Sequence, residues 1–261
     1  MADDAHEHPA AEPLTLAIDI GGSHLKAGVL NQSGTLTAGP ARVPTPMPAK
    51  PDAVVAALLA MVSPLAPYDR VSIGFPGVVR HGLVLTAPNL GTPAWQGFPL
   101  AATLSQHLGK PARLLNDATI QGLGVIAQRG VECVLTLGTG MGFALFRDGY
   151  LGPHLEIGQH PVKTGKTYDR FVGEAALQKI GRRRWNQRVR QTIALMRTLT
   201  DFDTLYIGGG NARRIDGALP GNVQIVSNKA GITGGIRLWD SRMDDFFAGQ
   251  LTAFAVESPA D

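Results

Sequence analysis

The sequence predicts an α/β chain of two similar lobes around a central cleft. Three observations carry that reading. Apolar runs of strand length alternate with helical patterns. Glycine is abundant, at 32 of 261 residues, and clusters at Gly21-Gly22, Gly138–Gly142, Gly208–Gly210 and Gly234-Gly235 rather than spreading as in a linker. A pattern of apolar strand, glycine turn and apolar strand occurs twice, as AIDIGGSHLKAGVL at 17–30 and VLTLGTGMGFALFR at 134–147. Asp19 falls on Thr136 and Gly21 on Gly138, so the register holds through both strands.

In chain order, Leu14–Ile20 reads as a buried strand broken by Gly21-Gly22, and Leu25–Leu30 as its partner. Asn31–Gly34 is a turn before a third strand, and the five prolines within 40–51 mark an irregular connection. Asp52 is expected to cap a helix with apolar positions Val54, Val55, Leu58, Leu59 and Val62. Val71–Phe75 is a strand ended by Pro76-Gly77, and a helix from about Pro99 to Leu108 stops at Gly109. Ala112–Leu115 is a short strand before Asn116-Asp117, with a helix expected on to about Arg129. After the second hairpin, Glu174–Ile180 and Arg182–Leu199 read as helices, the second with Trp185, Val189, Ile193, Met196 and Leu199 on one face. Thr204–Ile207 and Val223–Val226 are strands, Gly231–Trp239 is a late helix, and the tail beyond about Gln250 is expected to be loose. The expected division is a tail at 1–13, lobes at 14–115 and 116–245, and a tail at 246–261.

Composition narrows the class. Apolar residues are 44% and charged residues 17%, a globular balance. No run of 18 apolar residues occurs and the polar first dozen residues lack the features of a secretory signal, so the expectation is a cytoplasmic protein without membrane attachment. One cysteine, Cys133, gives neither an internal disulfide nor a cysteine-rich zinc site. The net charge of +3 is unevenly spread: the segment from Lys163 to Arg190 has nine Lys or Arg against Asp169 and Glu174. Such a segment is either a solvated helical face or a surface for a polyanion.

A glycine hairpin beside an aspartate suits phosphate, because successive N–H groups reach an anion without a Cβ in the way. The candidates are Asp19, Gly21, Gly22, Ser23 and Lys26 in the first hairpin and Gly138, Thr139, Gly140 and Gly142 in the second. Asp19 could hold magnesium through water. The pattern is neither a Walker A loop nor a dinucleotide fingerprint, since a strand follows each turn. Asp117 at a strand end reads either as a helix cap or as the base that takes a hydroxyl proton during phosphoryl transfer.

The ordered set IDIGGSHLKAGV, FPGVV, TAPNL followed by Trp95, LLNDA, LTLGTGMG and YIGGGNA resembles the ROK family of bacterial sugar kinases, and within it the polyphosphate glucokinase branch. The resemblance spans about Leu14 to Trp239. It implies a hexokinase/actin-like, ribonuclease H-like fold, with sugar and phosphoryl donor bound between the lobes. It implies transfer to the 6-hydroxyl of glucose, or of mannose, from polyphosphate or ATP with Mg²⁺, in a cytoplasmic homodimer. Position by position it makes Asp117 the catalytic base and Asn89, Asn116, Glu156 and Asp169 sugar ligands. Gly208, Gly209 and Gly210 become neighbours of a nucleotide.

Two departures stand out. The family's Glu-x-Gly-His reads Glu156-Ile157-Gly158-Gln159, with His160 one place late, so either Gln159 or His160 would meet the sugar. The cysteine-rich zinc motif of many members is missing, as it is in the polyphosphate branch, and no structural zinc is expected. The repressors of the family carry a DNA-binding domain ahead of the first strand. Only about thirteen residues precede it here, so nucleic acid is not an expected partner. A non-catalytic sugar sensor is the remaining alternative to an enzyme.

Overall fold

The computed structural model describes residues 12–227 and 230–252. The first apolar run forms β1 (Thr15–Ile20), and the turn at Gly21–Ser23 returns it antiparallel as β2 (His24–Leu30). β3 (Leu36–Pro44) runs beside β2, so the proline-rich connection begins later than expected. Its prolines are tolerated because β3 is an edge strand, where a missing N–H breaks no ladder. α1 (Pro51–Val62) starts with proline at its first position and Lys50 as N-cap. Asp52 therefore lies inside the first turn and is not the cap; Met61 is buried where Leu59 was expected.

β4 (Arg70–Phe75) lies parallel to β1. The small hairpin β5 (Val79–Arg80) and β6 (Leu83–Val84), then α2 (Thr92–Trp95) and α3 (Leu100–Leu108), lead to β7 (Ala112–Asn116), parallel to β4. α4 (Asp117–Leu123) ends at Gly124, shorter than its apolar pattern suggested. The second sheet then repeats the first: β8 (Val131–Leu137), β9 (Met141–Arg147) and β10 (Tyr150–Leu151) are antiparallel neighbours. The short pair β11 (Pro161–Lys163) and β12 (Lys166–Thr167) precedes α5 (Tyr168–Val172) and α6 (Glu174–Thr200). β13 (Thr204–Gly208) and β14 (Val223–Ile225) complete the sheet in parallel. α7 (Ala230–Arg237) and α8 (Ser241–Thr252) close the described chain.

The strand orders β3-β2-β1-β4-β7 and β10-β9-β8-β13-β14 correspond one to one, with the same parallel and antiparallel neighbours. The repeat seen in sequence is thus a repeat of topology. The two hairpins differ in their tips. Ile20 pairs with Leu25 in the first, and Leu137 with Met141 in the second, whose turn is one residue tighter.

α6 contains a non-helical residue, Gly181, at the boundary expected between two helices. Beyond it Trp185, Val189, Ile193 and Met196 are buried, but Leu199 is exposed at 62%, while the next residue, Thr200, accepts from Cys133 Sγ of β8. α8 was not anticipated: its residues follow the expected late helix and cross the expected boundary between lobe and tail at 245/246. The expected tail beyond about Gln250 lies mostly outside the described residues.

α7 packs against α4 and also against β1 and β4 of the first sheet. Gly234 and Gly235 make this possible. A Cβ on Gly234 would strike the Ile120 carbonyl, and one on Gly235 would come within 3.1 Å of Ala17 and 3.2 Å of Ser72. Ser72 Oγ donates to the Gly235 carbonyl at 2.6 Å and accepts from Trp239 Nε1 at 2.9 Å. The end of the chain therefore ties the second half to the first sheet. Arg113 strengthens the tie: it donates to the Leu238 carbonyl, pairs with Asp244 at 2.7 Å and lies over the Trp239 ring.

Candidate active site

Both hairpin tips open onto one cleft of about 310 Å³ between the sheets. Sixteen of the sequence-picked residues line it: Asp19, Gly21, Gly22, Lys26, Asn89, Asn116, Asp117, Gly138, Thr139, Gly140, Gly142, Glu156, Gln159, Asp169, Gly209 and Gly210. Ser23, His160 and Gly208 do not. The His160 ring instead faces Tyr168, centroid to centroid 6.4 Å, so of the two candidates it is Gln159 that reaches the cleft.

The hairpins hold their tips by backbone bonds. In the first, Gly21 N–H donates to the His24 carbonyl at 3.0 Å, and Thr45 bridges across with N–H to Ser23 O and Oγ to Gly21 O. In the second, Gly138 N–H donates to Gly140 O at 3.0 Å, and the Gly138 carbonyl accepts from Glu174 N–H and Asn211 Nδ2. Among the described residues, the N–H groups of Gly22, Ser23, Thr139 and Gly140 have no protein acceptor. Paired tips with free N–H groups are what an extended phosphate needs. Gly209 is required for the same cleft. Its φ is +87°, and a Cβ there would collide with Leu137 at the root of the second hairpin.

Asn116 and Asp117 divide the work at the start of α4. Asn116 is the N-cap: its Oδ1 accepts from Ala118 N–H at 3.0 Å and Thr119 N–H at 3.3 Å. Its Nδ2 donates to Gly77 O at 3.1 Å, tying the β4 loop down. The cap expected for the aspartate thus belongs to the asparagine, leaving Asp117 at the first helical position, facing the cleft. Burial, then the charge of Asp19 and, more weakly, that of Glu156, push the Asp117 carboxyl up to about 7, against the lowering effect of the Ala118 N–H. The carboxyl keeps some exposure through the cleft mouth, yet protein encloses it enough for burial to dominate.

Asp19 and Lys26 are cross-strand partners on β1 and β2, joined at 2.8 Å. Asn89 stands in a turn closed by the N–H groups of Leu90 and Gly91 on the Ala87 carbonyl, with Ala87 N–H donating to Thr92 Oγ1 at 2.9 Å. The Asn89 turn also abuts Gly22 of the first hairpin. Glu156 precedes the short helical turn Ile157–Gln159, and His154 Nε2 lies 3.0 Å from its carboxylate. Asp169, read as a further sugar ligand, has both oxygens engaged by protein: Oδ1 accepts Met141 N–H at 2.7 Å and Oδ2 accepts Gln159 Nε2 at 2.6 Å. Burial raises its carboxyl above the ordinary range.

Sequence reasoning missed His154 and Gln121. Gln121 lies one helical turn after Asp117 and lines the cleft; the i, i+4 spacing on a helix starting at Asp117 was the available signal. Among the described residues no three His, Cys, Asp or Glu side chains group closely enough to hold a metal directly. The donor set does fit magnesium held by one carboxylate, Asp19, with water and phosphate oxygens completing its shell.

Two matching α/β lobes with paired glycine hairpins define a protein of the actin-like ATPase fold, the class that includes hexokinases. The chain belongs to the ROK family, whose pattern matches residues 15–166. It is 30% identical over 213 residues, 78% of this chain and 80% of the other, to a polyphosphate glucokinase of Mycobacterium tuberculosis. The structure resembles that of an inorganic polyphosphate/ATP-glucomannokinase from Arthrobacter sp. strain KM, with TM-score 0.77, 31% identity and coverage of 86% of this chain and 97% of that one. It shares its fold with a ROK family glucokinase from Streptomyces griseus solved with glucose and AMPPNP, with TM-score 0.73, 21% identity and coverage of 86% and 98%. Among the described residues no helix is long and apolar enough to cross a membrane.

Proposed function

We propose that this protein is a hexose kinase that transfers a phosphoryl group from polyphosphate or ATP to the 6-hydroxyl of glucose. The observation that carries this reading is the placement of Asp117 on the cleft wall between two phosphate-type hairpins, with Glu156 on the same cleft. A carboxyl titrating at about 7 is matched to accepting a hydroxyl proton near neutral pH. The sugar hydroxyls would be met by Asn89, Glu156 and Gln159, with Asn116 holding Asp117 in place. The free N–H groups of the two tips, with Lys26, would receive the transferred phosphoryl group and its neighbours. Magnesium, when bound near Asp19, would neutralise charge developing on the phosphate oxygens. Closure of the lobes would keep water from the phosphoryl group.

The donor reading rests on charge. Lys166 has its ammonium held below the ordinary range by desolvation and by the charges of Arg188, Lys163 and Lys179. Lys163 and Lys166 are register partners on the β11–β12 pair, which begins two residues after Gln159 in the chain. Arg188 is partly engaged, donating to the Phe171 carbonyl and lying over its ring, and Arg182 is turned to Arg214 O and Asp216, which leaves Lys163 and Lys166 as the side chains to test. A polyanion longer than the cleft would follow these side chains, and its binding would weaken steeply with salt. A nucleotide would instead lean on Gly209 and Gly210, which also line the cleft.

The test is glucose phosphorylation with polyphosphate and with ATP, at low and moderate salt, in the wild type and in Lys163→Ala/Lys166→Ala. The reading expects polyphosphate turnover whose KM rises with salt, and a higher polyphosphate KM in the double variant with the ATP KM little changed. Turnover with ATP alone, unaffected by the double variant, would leave an ATP-dependent sugar kinase.

A further inference from the structure

We infer that Asp169 is a positioning residue that couples the sugar side of the cleft to the donor side. The inference rests on the kinase reading above, and deepens it. Asp169 belongs to α5, yet its two carboxylate oxygens reach two different segments. One accepts the N–H of Met141, the residue that closes the second hairpin tip. The other accepts Nε2 of Gln159, which ends the turn carrying Glu156. Both bonds, at 2.7 and 2.6 Å, are in the short range of charge-assisted pairs.

The backbone is shaped around this carboxylate. A Cβ on Gly140 would lie 2.6 Å from Asp169 Oδ1, and so would one on Gly158. The hairpin tip and the sugar-side turn thus close on Asp169 from both sides; a Cβ on Gly140 would displace its carboxylate, and one on Gly158 would also strike the Met141 carbonyl. The base of the same tip is held from α6, through Glu174 N–H to Gly138 O at 2.9 Å. The tip is therefore fixed on one flank and joined to Gln159 on the other.

This explains the departure at Gln159. An amide can donate one N–H to Asp169 and still present Oε1 to a hydroxyl, the pair of roles that a neutral imidazole performs. Gln159 Oε1 has no protein partner among the described residues. A sugar that orders Gln159 thereby orders Asp169 and the Met141 N–H beside the donor tip, and a donor that orders the tip does the reverse. Such coupling is reciprocal.

The experiment measures binding without turnover, so the sugar is 6-deoxyglucose, which lacks the hydroxyl that would be phosphorylated. The Kd of magnesium tripolyphosphate is determined with and without saturating 6-deoxyglucose, by calorimetry, in the wild type, Asp169→Ala, Gln159→Leu and Gln159→His. The wild type should bind tripolyphosphate at least about five-fold tighter with the sugar, the lower end of usual coupling. Asp169→Ala and Gln159→Leu should bring that ratio close to one, and Gln159→His should restore it. If Asp169→Ala does not fold, as judged by its melting curve, Gln159→Leu decides, because it removes the same bond from an exposed side chain. A ratio unchanged in Gln159→Leu would overturn the inference while leaving the kinase reading intact. Failure of the wild type to bind either the sugar or tripolyphosphate would overturn both.

Discussion

Replacing Asp117 by asparagine should make the protein more stable at pH 8 while removing its activity. The carboxyl titrates at about 7 in the fold against 3.8 for an ordinary aspartate. A raised carboxyl pKa means that the folded state disfavours the charge. The stability of the neutral form is fully present below the unfolded pKa and is lost as pH rises through the folded one. Above pH 7 the penalty approaches three pKa units, about 4 kcal/mol as an upper bound. Asparagine keeps the shape and carries no charge, so it escapes that penalty. The gain of the variant over wild type should grow by about 3 kcal/mol between pH 5 and pH 8, since at the lower pH folded Asp117 is already protonated. Any loss of hydrogen bonding in the variant is common to both pH values and cancels in the difference. Urea denaturation of the two proteins at both pH values measures it, provided unfolding is two-state. A gap that stays constant with pH, or that narrows toward pH 8, would refute the argument that Asp117 is a buried, charge-strained base.

The other expectations concern neighbours of that base. The acid limb of kcat/KM should lie near pH 7, falling as Asp117 is protonated, and Asp19→Asn should move it to lower pH by removing the largest charge that raises Asp117; an unmoved limb in the pH–rate profile would separate the two residues. Glu156→Ala should raise KM for the sugar far more than KM for the donor, whereas an equal rise in steady-state kinetics would indicate a folding defect. Gly209→Ala should cost about 1–3 kcal/mol of stability, read from the denaturant midpoint and slope, because the backbone at φ +87° resists a Cβ and the Leu137 backbone blocks it; a neutral result would mean the β13 end can move aside.

The frame of the molecule was legible because it is local. Each hairpin is an apolar run, a glycine tip and a second apolar run; Ile20 and Leu137 keep the 117-residue offset of the echo, but the tighter second turn puts Met141 in the place of Leu25, so the register shifts by one in the second strand. The errors arose where tertiary packing decides. α4 stops at Gly124, although its apolar pattern continues to Ile126, because the chain must turn into β8. Leu199 matches the apolar spacing of its helix but is exposed, and it is Thr200 that meets Cys133 of β8. The return of α7 onto β1 and β4 joins segments more than 150 residues apart, and no local pattern signals it; Gly234-Gly235 marked a close approach without naming the partner. Most of the site was visible as residue types at strand ends, yet roles within it were not. Asn116 and Asp117 both accept the Ala118 N–H, and it is the further bond of Asn116 to the Thr119 N–H that marks it as the cap. Asp169 was recognisable as an acid of the cleft, but its commitment to Met141 and Gln159 depends on how α5 meets the second hairpin.

The central claim is that Asp117 takes the proton of a hexose hydroxyl as a phosphoryl group arrives from polyphosphate or ATP. The most direct measurement is glucose 6-phosphate formation by purified protein with Mg²⁺ and each donor, in the wild type and Asp117→Ala, alongside glucose binding by both. The account predicts product from the wild type, a loss of about 10²–10⁴-fold in the variant, and glucose binding retained by both. Product formed by Asp117→Ala at a rate near that of the wild type, or no phosphorylated hexose from the wild type with either donor, would contradict it.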